Sequence, residues 1–173
     1  MSLNEMDPSA QKFFNYLEGE KNYSPHTLKS YTHDLTQFTR FLGGKPLAEV
    51  TKESLRSFLA EMSSTGLSKR TMGRRMAALR TFFRFLVREG YLEKNPIAAV
   101  KNPKLEKKLP MVMEEIEVAQ LLEAPEDDLA GRRDKAMLET LYSTGMRVSE
   151  LVRLDMDKID FISGVCRVTG KGA

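Results

Sequence analysis

The chain has 173 residues, 41% of them hydrophobic and 29% charged, enough for one ordinary domain or two small ones and too apolar for global disorder. The net charge of +3 is unevenly spread: residues 1–104 carry 17 Lys+Arg against 10 Asp+Glu, and residues 105–173 carry 10 against 14, a basic half joined to an acidic one. A single cysteine, Cys166, excludes an internal disulfide and a cysteine-cluster metal site; two isolated histidines, His26 and His33, argue against a zinc enzyme or a Ser-His-Asp hydrolase; no apolar run spans a bilayer and no secretion signal opens the chain, so a cytoplasmic protein is expected.

In chain order, Phe13, Phe14, Tyr16 and Leu17 fit one face of a first helix over residues 9–20, stopped near Gly19. Ser24-Pro25 reads as an N-cap with proline at the first helical position, opening a second helix to about Leu42 with Leu28, Tyr31, Leu35, Phe38 and Phe41 at spacings of three and four. Thr51 caps a third helix carrying Leu55, Phe58, Leu59 and Met62, and Ser68 caps a fourth that runs to about Glu89, with Gly90 beyond it. The proline-bounded, charged stretch within residues 103–111 reads as a linker between a helical domain, 1–102, and a second domain, 112–173. The second domain is predicted to hold helices over 114–122, 129–144 and 148–154, with Gly145 just past the middle one, then a hairpin whose strands, 158–161 and 165–168, flank Ser163-Gly164. Leu138, Leu141 and Tyr142 share a helical apolar pattern, which places Tyr142 in the core. So short a second domain has a thin core and reads as unfinished.

The fourth helix carries the first chemical signal. No acidic residue lies between Ser63 and Arg88, a stretch that holds Lys69, Arg70, Arg74, Arg75, Arg80, Arg84 and Arg88. At about 100° per residue, Arg70, Arg74, Arg80, Arg84 and Arg88 fall within an arc of about 120°, with Arg75 off the stripe; Met72, Met76, Leu79, Phe82, Phe83 and Leu86 lie on the opposite side. A solvated helix face usually mixes signs for i,i+4 pairing. A face of guanidiniums alone suits phosphate oxygens and hence DNA or RNA.

Two further signals lie in the second domain. Arg147 stands at the junction between a helix stop and a new helix, with Glu150 three residues on to buttress it. Lys171 sits between Gly170 and Gly172 at a turn, where a lysine can approach a phosphate closely. Read alone, each has a plain structural role: an i,i+3 ion pair and a solvated turn lysine.

In this order the motifs resemble those of the tyrosine recombinases, the phage integrase family, and are most similar to its Xer-like bacterial and archaeal members. Tyr23-Ser24-Pro25-His26-Thr27-Leu28-Lys29-Ser30-Tyr31, followed by Asp34-Leu35 and Phe38, resembles the start of the family's core-binding, SAM-like domain. Asn95-Pro96 and the stretch to Pro110 resemble its exit into the linker. Arg133–Leu138 and Thr144-Gly145-Met146-Arg147-Val148-Ser149-Glu150-Leu151 resemble the helices around the first catalytic arginine, and Val165–Gly172 the hairpin bearing the catalytic lysine.

The resemblance implies a mostly α protein: a four-helix SAM-like core-binding domain followed by a truncated α+β catalytic domain with a short β-hairpin. It implies that Arg147 binds the scissile phosphate, that Glu150 positions this site, and that Lys171 is the general acid for the departing 5′ oxygen. The family's tyrosine nucleophile forms a 3′-phosphotyrosine link, so neither a metal nor any other cofactor is needed. The implied partner is double-stranded DNA, bound by the parent protein as a tetramer on paired sites with itself or a sister recombinase, with Xer-like resolution of chromosome dimers as the role. The family's His-x-x-Arg motif, later His or Trp, and tyrosine all follow the hairpin. Tyr16, Tyr23, Tyr31, Tyr91 and Tyr142 all precede Lys171, so this chain alone is expected to be inactive. The competing expectation is a DNA-binding protein without chemistry, a truncated relative occupying recombination sites.

Overall fold

The computed structural model of the chain describes residues 7–104 and 111–170. Lys171 and most of the predicted linker lie outside the described residues. The chain divides into two compact units, residues 1–107 and 108–173.

Among its described residues the first unit holds helices and no strand. Helix α1 (Pro8–Gly19) is capped by Asp7, whose carboxylate accepts the Ser9 N–H at 2.8 Å, with Pro8 pre-set at the first helical position. Helix α2 (Pro25–Leu42) starts on Ser24, whose hydroxyl accepts the Thr27 N–H, and ends on Gly43 at a left-handed φ of 60°. A 3-10 turn (Leu47–Glu49) leads to α3 (Lys52–Ser64), where Thr51 and Ser54 satisfy each other's backbone N–H groups. Helix α4 (Lys69–Arg88) starts on Ser68, which accepts from Thr71.

These helices close on one core. Phe13 of α1 is fully buried, with ring centroids 5.1 Å from Phe82 and 5.3 Å from Phe85 of α4 and 6.4 Å from Tyr31 of α2. Phe38 of α2 meets Phe58 of α3 at 5.2 Å and Phe83 of α4 at 5.9 Å. Edge-on and tilted rings of this kind add to the apolar area they bury. After α4 the chain returns Ile97 and Val100 to the same core. The apolar stripe read from the sequence on α4 is the buried one: Met72, Met76, Leu79, Phe82, Phe83 and Leu86 all point inward.

The second unit contains α5 (Glu115–Glu123), α6 (Leu129–Thr144), α7 (Val148–Leu151), a 3-10 turn (Met156–Lys158) and an antiparallel pair, β1 (Ile159–Asp160) with β2 (Val165–Cys166). The register pairs Ile159 with Cys166 and Asp160 with Val165. Helix α7 and both strands are shorter than predicted. Among its described residues only Gly131 is buried, while Leu122, Leu138, Leu141, Leu151 and Leu154 are half-covered. Tyr142, expected in the core, is 64% exposed. Helical spacing identifies an apolar face but not how far it is covered, and here the face is half-covered at Leu138 and Leu141 and open at Tyr142.

Gly131 is fixed by close approach. A Cβ there would lie 1.9 Å from the Glu126 carbonyl oxygen, and the Gly131 N–H donates to the capping Asp128 carboxylate at 2.6 Å. Gly131→Ala is therefore expected to open the first turn of α6, seen as faster amide hydrogen exchange across residues 129–133. Gly73 of α4 is the contrast, since an added Cβ meets nothing within 4 Å. Gly73→Ala is expected to stabilise the first unit by about 0.5–1 kcal/mol in denaturant titration.

Candidate nucleic-acid interface and catalytic arginine

Helix α4 turns its basic side outward, but the seven basic residues predicted there are not equivalent. Arg70 and Arg84 are exposed and make no hydrogen bond or ion pair with any described residue. Lys69 is exposed at the first turn of the helix. Ala77 and Thr81 lie between Arg70 and Arg84 on the same face, so a polyanion backbone meets little steric obstruction there.

The other four arginines correct the picture of a face of unpaired guanidiniums. Arg80 donates to the Val100 carbonyl at 2.6 Å and to the Asn102 side chain at 2.5 Å, so it ties α4 to the outgoing chain. Arg88 donates to Glu89 at 2.8 Å and stacks its guanidinium 4.0 Å above the Tyr16 ring. Arg74 donates to the Asp34 carboxylate of α2, yet its side chain remains 44% exposed. Arg75, off the stripe, is mostly buried, with its Nε 3.6 Å from the other Asp34 oxygen and its guanidinium 3.5 Å from His33 Nε2. Three members of the stripe therefore have partners 1, 20 to 22 or 40 residues away in sequence.

Asp34 is the buried charge that charge counting missed. It is fully buried, with Oδ2 held by Arg74 and Oδ1 without a hydrogen bond. Burial pushes its carboxyl above the ordinary value, against the opposing pull of Arg74 and then Arg75. The folded chain thus holds this proton more tightly than the unfolded chain does. Asp34's contribution to stability is fully present below the ordinary carboxylate range and is lost as pH rises through the raised value. Part of the signal is in the sequence, a carboxylate among the apolar positions Tyr31, Leu35 and Phe38 of one helix; its arginine partners, 40 residues on, are not.

In the second unit, Gly145 ends α6 at φ 64° and the chain turns directly into α7. Arg147 is the N-cap residue of that helix. Its backbone N–H donates to one Glu150 oxygen at 2.7 Å and its guanidinium to the other at 2.8 Å. The first of these bonds, then the second, holds the Glu150 carboxyl below its ordinary range, so the buttress stays charged. The Arg147 side chain is 73% exposed, leaving most of its donors free for an anion. The hairpin turn is set by Asp160, whose carboxylate accepts from Ile162, Ser163 and the Ser163 hydroxyl. Among the described residues no group of His, Cys, Asp and Glu is placed to hold a metal ion, and no helix is long and apolar enough to cross a membrane.

The sequence matches two family models: the phage integrase N-terminal SAM-like domain over residues 10–90, and the phage integrase family over residues 111–173. The chain belongs to the phage integrase family, the tyrosine recombinases. Relatives include tyrosine recombinase XerC of Pelotomaculum thermopropionicum, 45% identical, with 93% of this chain and 56% of the relative aligned. XerC of Oceanobacillus iheyensis is 41% identical, over 98% of this chain and 57% of the relative. The chain thus spans about half the length of the curated recombinases it matches. A lambda integrase tetramer bound to a Holliday junction shares the fold, with a TM-score of 0.74 at 20% identity, covering 93% of this chain and 47% of that one. The mostly helical architecture with a short antiparallel pair agrees with the tyrosine recombinase fold expected from the sequence.

Proposed function

We propose that this chain is the DNA-gripping and phosphate-binding portion of an Xer-type site-specific recombinase. The observation that carries the reading is the Arg147–Glu150 arrangement: an exposed guanidinium fixed at a helix junction by a charged carboxylate. Such a donor set is preorganised for the non-bridging oxygens of a phosphodiester and for the extra charge of a pentacovalent transition state. The α4 face, with Arg70, Arg74 and Arg84 exposed, supplies the grip on duplex DNA. Arg80, Arg88 and Arg75 serve by shaping that face rather than by pointing at the ligand.

In this reading a tyrosine phenol, giving up its proton to solvent, attacks the phosphorus, the bond to the 5′ oxygen breaks, and Lys171 gives that oxygen a proton. The phosphodiester energy is kept in the 3′-phosphotyrosine link, so religation needs neither metal nor nucleotide. All five tyrosines precede Lys171, and the family pattern puts the nucleophile after it, so none of the five is assigned that role. The complete enzyme acts in the cytoplasm as a tetramer on two paired DNA sites, with itself or a sister recombinase, to resolve chromosome dimers.

The test is a nicked suicide DNA substrate offered to a longer protein carrying these residues. A protein–DNA band that survives denaturing electrophoresis is expected, falling about a hundredfold or more in rate for Arg147→Ala, as for loss of a transition-state oxyanion donor. Tyr142→Phe is expected to leave the band intact. Exposure makes this variant necessary, since burial does not keep Tyr142 from a substrate. An undiminished band from Arg147→Ala would remove Arg147 from the site.

A further inference from the structure

We propose that Asp34 is a positioning residue for DNA binding: it holds Arg74 by one nitrogen from below, so that the remaining edge of the guanidinium is presented to a DNA phosphate. The inference rests on the proposed DNA-binding role of the α4 face.

Asp34 belongs to α2, its carboxylate is fully buried, and its Oδ2 accepts from a terminal nitrogen of Arg74 on α4, 40 residues on. Arg74 remains 44% exposed, on the same face as the unpaired Arg70 and Arg84. A guanidinium has five N–H donors in one plane. With one of them held by Asp34 and the side chain partly exposed, the others remain available to an anion. A free surface arginine loses considerable rotamer freedom on gripping a phosphate. Arg74 has lost much of that freedom already, while Arg70 and Arg84 have not. The second Asp34 oxygen faces Arg75 Nε at 3.6 Å, and neither atom has a hydrogen-bond partner. A buried carboxylate left half-satisfied is a weak source of stability, which agrees with burial outweighing the arginines in its proton affinity. What the arrangement does accomplish is to fix where Arg74 stands.

Bulk electrostatics and positioning predict opposite signs. Asp34→Asn keeps the side chain's shape and adds one positive charge to the net total, which by charge alone strengthens binding to a polyanion. It also exchanges a charge-assisted bond to Arg74 for a neutral one, which loosens the guanidinium. The experiment is fluorescence-anisotropy titration of labelled duplex DNA with the 173-residue chain, its Asp34→Asn, Arg74→Ala, Arg74→Lys and Arg84→Ala variants, and the double variants, at one fixed salt concentration. Thermal unfolding monitors the fold of each.

Asp34→Asn is expected to weaken binding about fivefold, the size of one modest hydrogen-bond difference. That loss should vanish in the Arg74→Ala background and persist in the Arg84→Ala background. Arg74→Lys, which keeps the ion pair but lacks the outward edge, should weaken binding by a similar factor. Binding by Asp34→Asn that is unchanged or tighter, or a loss equally large without Arg74, overturns the proposal and leaves the DNA-binding face standing. If Asp34→Asn fails to fold, full affinity in Arg74→Lys overturns it instead. No affinity of the wild-type chain for duplex DNA sinks the DNA-binding reading and this inference with it.

Discussion

Replacing Arg70 and Arg84 together with glutamate is expected to lower affinity for duplex DNA by about a hundredfold or more, with thermal unfolding unchanged. Each reversal removes a counterion-releasing phosphate contact and adds a repulsion. Neither side chain makes a hydrogen bond or ion pair with a described residue, and among those residues Arg84's one electrostatic neighbour is the Tyr23 phenol. The wild-type affinity should also fall steeply with salt, and the double variant should show a shallower slope. The choice of residues matters. Arg80→Glu would break the bonds to Val100 and Asn102, and Arg74→Glu would set two carboxylates against each other at Asp34. Weakened binding by either would mix lost contact with damaged structure. Gel-shift titration of the Arg70→Glu, Arg84→Glu variant gives the clean reading, and full affinity would exclude the exposed α4 face as the interface.

Phe13→Ala is expected to destabilise the first unit by about 3–5 kcal/mol, against a total of about 5–15 kcal/mol for a domain. Phe13 has no exposed surface, and its ring meets Phe14, Tyr31, Phe82 and Phe85 with centroids between 5.1 and 6.4 Å away. Its removal leaves a cavity where α1, α2 and α4 converge, so the loss exceeds the transfer of one side chain. Urea titration followed by far-ultraviolet circular dichroism should show the midpoint of the variant well below that of the wild type. A midpoint within error of the wild type would mean that this aromatic cluster is not the core that holds α4 in place.

Much of the helical unit was legible because its signals are local. Ser24-Pro25, Thr51 and Ser68 cap helices within a turn of themselves, and the apolar residues of α4 repeat at the period of the helix that buries them. The Gly145–Arg147–Glu150 junction was legible for the same reason, since capping and buttress lie within three residues. The partners of Arg74, Arg75 and Arg80 were not, because they come from Asp34, Val100 and Asn102, more than a dozen residues off in sequence. An arginine stripe drawn on a helical wheel shows direction but not occupancy. Tyr142 failed differently: its spacing with Leu138 and Leu141 is a true helical face, but Leu138 and Leu141 are only half-covered and Tyr142 stands clear.

The most direct measurement of the central claim is a nuclear magnetic resonance titration of the isotopically labelled chain with duplex DNA, following backbone amides and arginine side-chain N–H groups together. Within the first unit the account predicts the largest shifts at Arg70, Arg74, Ala77, Thr81 and Arg84 along the outer face of α4, with little change on the exposed side of α3. Shifts concentrated elsewhere in the first unit, with the α4 arginines unmoved, would contradict it.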